Sequence, residues 1–205
     1  MQTIEDKQKN KEEQRYSMVK KYHTETLMKA IDEHKADKMI IPFLLDIVKI
    51  PSIFTSSSCA GRLMLLSTDD TENKKNSSFY KRYHRLVTFE EVQNDILNFK
   101  GNELWLKVES FIFHFGAQNY SKAKELLIFA QTFGLKKAGI ITAKDGKYIV
   151  EMSFTQYMSL PVVHNSEVVV SEDYLKLIIN KGNEKLKLNY KKLESFEKEF
   201  LKRFS

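Results

Sequence analysis

The stretch Leu104–Phe115, LWLKVESFIFHF, is dense in aromatic and β-branched side chains. Such a run suits a pleated, half-buried surface and predicts a strand in the middle of the chain. Outward from it the period changes. Upstream, Thr88 with Glu91 three residues later forms a capping-box pattern, which predicts a short helix from Phe89 to about Phe99. Downstream, Ser121 reads as the N-cap of a helix whose buried stripe is Ala123, Leu126, Leu127, Ala130 and Phe133, with Gly134 just past its end. Two strands, 138–143 and 147–154, flank Asp145–Gly146, a strong hairpin signal. Further upstream, Ser52–Thr55 is extended, Arg62–Ser67 reads as a short strand, and Ser56–Gly61 lies between them. The polar tract Thr68–Ser78 reads as an exposed mobile loop.

The ends are helical. Tyr16, Val19, Tyr22, Thr26 or Leu27, and Ala30 recur at helical spacing, and Asp32–Asp37 reads as a turn. Ile40, Ile41, Leu44, Ile47 and Val48 make a second amphipathic helix, with Pro42 tolerated in its first turn and Pro51 ending it. Ser171 caps a long terminal helix striped by Leu175, Ile178, Gly182, Leu186, Tyr190, Leu193, Phe200 and Phe204. The expected class is α+β, a mixed β-sheet covered by helices.

The chain has 205 residues, a formal net charge of +6, 42% hydrophobic and 29% charged residues. That composition describes a soluble globular protein of one large domain or two small ones. The most apolar stretch, Met39–Phe54, is interrupted by Pro42, Asp46, Lys49 and Pro51, so no membrane span is expected. Charge fills the N-terminus where a signal peptide needs an apolar region. A single cysteine points to the reducing cytoplasm. The seven glycines are isolated and no G-x-G occurs, which excludes the dinucleotide-binding and phosphate-binding glycine loops.

Chemistry concentrates between Ser56 and Arg62. Three serines followed by Cys-Ala-Gly-Arg offer hydroxyls, backbone N–H groups and a guanidinium, a good set for holding a carboxylate or phosphate. Gly61 would let backbone approach a ligand closely. A turn that pairs its own hydroxyls is an equally good reading of these residues. Cys59 lacks a sequence neighbour other than Arg62 to lower its pKa, so a buried structural thiol is favoured over a nucleophile. His114, inside an apolar run, reads first as a core histidine. His84 lies among Lys81, Arg82 and Arg85 with Tyr80 and Tyr83 interleaved, a mixture that suits RNA as well as a solvated edge. His23, His34 and His164 show no metal-ligand spacing, so no metal is expected. The terminal helix carries nine Lys or Arg against six Asp or Glu between Glu172 and Arg203, which reads as a solvated face.

FTSSSCAGRLMLL (Phe54–Leu66) resembles the signature of the wybutosine-synthesising tRNA methyltransferases that act third in that pathway. LWLKVESFIFH, KAKELLIFAQTFGLKKAGI (Lys122–Ile140) and VVSEDYLKLIINKGNEKLKLNYKKLESF, with its Asn183-x-Lys185, are similar to further segments of the family in the same order. The resemblance implies a single domain over 1–205 that is not a Rossmann methyltransferase, with a helical segment 1–50, a sheet region 51–170 and a terminal helix 171–205. It implies N-methylation, from S-adenosylmethionine, of a 4-demethylwyosine-type guanosine next to the anticodon of tRNA(Phe), by an archaeal-type member. Ser57, Ser58 and Arg62 would bind cofactor, His114 and Cys59 would be catalytic, and His84 and Lys136 would contact the tRNA. Where the family has Cys-Arg after the strand histidine this chain has Ala117–Gln118. Its Arg-Asn-Ser-Gly turn reads Lys136–Lys137–Ala138–Gly139, and its Arg-Ser falls at Ser153–Phe154. Two further readings therefore stand beside the methyltransferase: a non-catalytic or altered-specificity RNA-binding paralogue, and, more weakly, a cysteine hydrolase acting through Cys59.

Overall fold

The computed structural model describes residues 4–68 and 77–205. In chain order the elements are α1 (Ile4–Asp32), α2 (Ile41–Lys49), β1 (Ile53–Thr68), β2 (Ser78–Tyr83), α3 (Phe89–Leu97) and β3 (Glu103–Ala117). They continue with α4 (Tyr120–Thr132), β4 (Lys137–Lys144), β5 (Lys147–Ser153), β6 (Met158–His164), β7 (Glu167–Val168) and α5 (Glu172–Phe204). Most of the expected loop Thr68–Ser78, at 69–76, lies outside the described residues. Chain packing divides into two compact units.

The first unit comprises Met1–Ala60, Ile112–Thr155 and Leu193–Ser205. Its strands are ordered β1-β3-β5-β4, and the β3–β5 and β5–β4 pairings are antiparallel. Alternation along β3 puts Phe113 and Phe115 on one face, both fully buried, and half-buried Ile112 and His114 on the other. Phe113 and Phe115 meet Phe43 of α2 edge-on, with ring centroids 5.4 and 6.1 Å away. Phe196 stacks on Phe113, Phe200 meets Phe115 at a tilt with centroids 4.9 Å apart, and Phe129 of α4 extends the cluster. Each such phenylalanine contributes about 1.5–3 kcal/mol by leaving water. On the opposite face, Tyr16 and Val19 of α1 pack with Phe54 and Ile149, and the Tyr16 hydroxyl donates to Pro51 O at 2.9 Å. Phe54 lies so flat on β3 that a Cβ at Gly116 would come within 1.9 Å of its ring.

The second unit comprises Gly61–Phe111 and Gln156–Lys192. Its strand order is β2-β1-β3-β6-β7, with antiparallel β1–β2, β3–β6 and β6–β7 pairings. Leu63, Leu65, Leu104, Leu106 and Val108 form the inner face, packed against Val92 and Ile96 of α3 and Leu175, Ile178, Ile179 and Leu186 of α5. Gly182 lets α5 settle on this sheet, since a Cβ there would stand 3.2 Å from both Leu63 and Val108.

The α+β class and the helical ends stand. The pairings β1–β2, β3–β5, β3–β6, β5–β4 and β6–β7 are antiparallel. The Thr88 and Ser171 caps form, accepting from Glu91 N at 3.2 Å and Tyr174 N at 3.3 Å. Gly134 and Gly146 take left-handed φ of 91° and 69°, ending α4 and turning the β4–β5 hairpin. The α4 cap differs. Asn119, extended at φ −150° and ψ 174°, accepts from Lys122 N at 2.9 Å, and Ser121 already lies inside the helix. The serine run differs more: it is not a turn between two extended pieces but part of one 16-residue strand. Pairing with β3 overrides the local turn tendency of the serines. Thr55 Oγ1 and Ser58 Oγ lie 2.9 Å apart, and Ser56 Oγ donates to His114 O at 3.4 Å. The strands β2, β6 and β7 extend beyond the sequence expectation.

Candidate active site

In the first unit, β1 presents Ser57 exposed and Ser58 and Cys59 half-buried. Asp37, in the turn before α2, accepts from the Ala60 backbone N–H at 2.8 Å and so pins the strand next to Cys59. His114 is half-buried on β3, directly across from Glu151 on β5, and its Nε2 lies 2.8 Å from Glu151 Oε2. An ionised carboxylate only accepts, so Glu151 fixes the proton on Nε2 and leaves Nδ1 as the imidazole's basic nitrogen. Across the next register step from Glu151 lies Gly139, where a Cβ would meet nothing within 4 Å. The pair therefore borders open space. On the same unit, His23 stacks on Phe54 with rings 5.0 Å apart and 9° from parallel. Burial, with Lys147 adding to it, lowers the His23 pKa and favours its neutral ring. Lys136 is exposed in the turn before β4.

In the second unit, Arg62 extends from β1 to Glu109 of β3, with Nη2 3.0 Å from Oε2. Its guanidinium also lies over the Phe79 ring, 4.7 Å from the centroid. The side chain is only 18% exposed, and among the described residues its buried Nε has no hydrogen-bond partner. A buried donor without a partner is costly, so the guanidinium carries one unmet hydrogen bond at Nε. Gly61, next to it, serves the fold and not ligand approach. At φ +93° a Cβ would stand 2.6 Å from Asn189 Nδ2, 2.8 Å from Glu109 O and 2.9 Å from Phe111 N. Asn189, fully buried on α5, accepts from Phe111 N at 2.7 Å through this gap. His84 is half-buried in the turn after β2. That turn is clamped by Asn183 of α5, which accepts from Val87 N at 3.1 Å and donates to Val87 O at 2.8 Å.

The sequence-expected residues thus divide between the units: Ser57, Ser58, Cys59, His114 and Lys136 in the first, Arg62 and His84 in the second. Glu151 and Glu109, which hold the histidine and the arginine, escaped the sequence reading. The signal was present for Glu151, a lone charge within the apolar strand Tyr148–Met152.

The fold is α+β, lacks a glycine phosphate loop among the described residues, and bears Ser-Ser-Ser-Cys-Ala-Gly-Arg on its longest strand, an architecture apart from the dinucleotide-binding one. The chain belongs to the methyltransferase TYW3 family, whose model matches residues 13–202. It is 35% identical, over 87% of its length and 90% of the relative, to tRNA(Phe) 7-((3-amino-3-carboxypropyl)-4-demethylwyosine(37)-N(4))-methyltransferase 1 of Thermococcus kodakarensis. A Thermococcus sibiricus enzyme of the same name without the numeral is 33% identical, covering 93% of this chain and 96% of the relative. The solved structure of the PH1069 protein from Pyrococcus horikoshii superposes with a TM-score of 0.84 at 31% identity, covering 91% of this chain and 96% of that one.

Proposed function

We propose that this chain methylates N4 of a 4-demethylwyosine-type guanosine in tRNA(Phe), with S-adenosylmethionine as methyl donor, as one functional domain acting in the cytoplasm. The family match and the relatives' names support the substrate and reaction class. Among the described residues no helix is long and apolar enough to cross a membrane, in keeping with an RNA substrate. The observation that carries the chemistry is the His114–Glu151 pair beside open space.

Arg62 is a cofactor-binding residue in this reading, its guanidinium suited to the carboxylate of S-adenosylmethionine, and in the first unit Ser57 and Ser58 offer cofactor-binding hydroxyls. When bound, that cofactor supplies an electrophilic methyl carbon on a sulfonium. Transfer of that methyl group to the target nitrogen, with the sulfur leaving as a thioether, would require a proton to leave the nitrogen. His114, held through Nε2 by Glu151, accepts it at Nδ1. Alignment of nitrogen, carbon and sulfur supplies the rest of the rate, so residues that only position matter as much as the base. Cys59, half-buried on β1 beside the serines, belongs to the catalytic set in this reading, while His84 and Lys136 contact the tRNA. The experiment is calorimetric titration of the full chain with S-adenosylmethionine, with and without acceptor tRNA. Saturable binding that Arg62→Ala weakens supports the assignment, and binding indifferent to Arg62 removes it.

A further inference from the structure

The outer face of the second unit's sheet has a composition unlike an ordinary solvated surface. On β3, Trp105, Lys107 and Glu109 alternate with the buried residues Leu104, Leu106 and Val108, so all three point away from the core. On β1, Arg62 shares this face through its ion pair with Glu109. On β2, Phe79 and Arg82 pair with Leu66 and Met64, which follow Arg62 at alternate positions. On β6, Ser159 and Pro161 lie opposite Lys107 and Trp105, both exposed.

Aromatic rings and cations are layered across these strands. Phe79 is 48% exposed, a high value for a phenylalanine set in a sheet. The guanidiniums of Arg62 and Arg82 lie over its ring at 4.7 and 5.1 Å, and Lys107 Nζ lies 5.7 Å from the Trp105 ring centroid. Among the described residues, three cations, Arg62, Arg82 and Lys107, face one carboxylate, Glu109. The neighbouring basic residues do not share this role: Lys81 is tied to Asp95 at 2.7 Å, and Arg85 is tied to Glu91. Tyr83 is buried and Tyr80 packs against the core, so the aromatic partner of this basic stretch is Phe79.

We propose that this face, built from Phe79, Arg82, Trp105 and Lys107 with Arg62 at its edge, is a docking platform for unpaired RNA. Flat rings and guanidinium planes on an antiparallel sheet accept bases splayed from a single strand, while flanking cations take the phosphates. Charge complementarity selects RNA over a protein partner, since among the described residues the face has a cationic excess. The inference rests on the tRNA methyltransferase reading and deepens it. The occupant is the loop of the substrate tRNA that carries the target guanosine, its flanking nucleotides lying on Phe79 and Trp105.

Trp105 is the single tryptophan of the chain, so its emission reports this face alone. The full chain is titrated with a tRNA(Phe) transcript across a salt series, and methyl transfer to acceptor-bearing tRNA is assayed in parallel. The platform requires saturable quenching of Trp105. It requires Phe79→Ala to weaken binding about five- to hundredfold, the size of one stacked base, and Phe79→Tyr to restore it. It requires Arg82→Ala and Lys107→Ala each to lower the salt slope by about 0.7, the value for one single-strand phosphate. An unchanged thermal midpoint in each variant separates lost contact from lost fold. Methyl transfer with silent Trp105 emission and full affinity in Phe79→Ala overturns the platform and leaves the enzyme intact. Absence of both tRNA binding and methyl transfer in the parent chain overturns the methyltransferase reading and the platform with it.

Discussion

His114 and Glu151 face each other across β3 and β5, with Nε2 2.8 Å from Oε2. The carboxylate fixes the tautomer, so the two side chains act as one unit. His114→Ala should lower the rate of methyl transfer at least about a hundredfold, the usual worth of a positioned base. Glu151→Gln should cost less, about tenfold, because an amide can still hold the ring. The double variant should be no slower than His114→Ala alone. Single-turnover rates check this, and strictly multiplicative losses would show that the residues act separately.

Arg62 divides its donors between Glu109 and an unmet bond at Nε. Arg62→Ala should weaken S-adenosylmethionine binding about ten- to hundredfold, the range for a hydrogen bond to a charged group. Arg62→Lys should recover little of it, because a point charge does not reproduce the planar fork. Calorimetric affinities for the parent and both variants decide the matter.

Gly61→Ala should destabilise the fold by about 2–4 kcal/mol, from a left-handed backbone together with overpacking. The new methyl group would meet Asn189 Nδ2 and also the backbone of Glu109 and Phe111, so removing the Asn189 side chain cannot relieve it. Chemical denaturation measures the loss, and a Gly61→Ala midpoint equal to the parent's would contradict this account of the glycine.

Glu197 on α5 has its pKa raised to about 7, chiefly by burial and further by Glu194. Among the described residues its Oε1 has no hydrogen-bond partner. Below the ordinary carboxylate value of 4.5 both folded and unfolded chains carry the proton, and there the group has no effect on stability. Between 4.5 and about 7 the unfolded chain ionises first, so stability falls as pH rises, and above about 7 the full cost is present. Allowing for solvent screening of a half-buried group, that cost is about 1–2 kcal/mol. Glu197→Gln should remove this decline and stabilise the protein at pH 8, which urea denaturation at pH 5 and pH 8 measures.

The legible parts of the fold were those written in local physics. The Thr88 and Ser171 caps, the Gly134 helix end and the Asp145–Gly146 hairpin need no distant partner, and each forms where the residues place it. What escaped depends on long-range pairing. A serine run has no strand signal of its own until β3 lies beside it, and Ser78–Tyr83 reads as a charged tract until Leu63–Ser67 pairs with it. Asn183 and Asn189 look like ordinary helix polar residues, yet their amides clamp Val87 and Phe111, 96 and 78 positions away. The site was half legible for the same reason. Ser57, Ser58, Cys59 and Arg62 form one contiguous motif, whereas Glu109 and Glu151 become visible only through the strand partners they serve.

Methyl transfer by this chain is tested most directly by one assay. Purified protein, S-adenosylmethionine labelled in its methyl group, and tRNA(Phe) carrying 7-(3-amino-3-carboxypropyl)-4-demethylwyosine are incubated together, and the digested nucleosides are separated by mass. The label should appear on that nucleoside, at N4, and be lost with His114→Ala. Unlabelled acceptor after incubation with folded parent protein that binds the tRNA would contradict it.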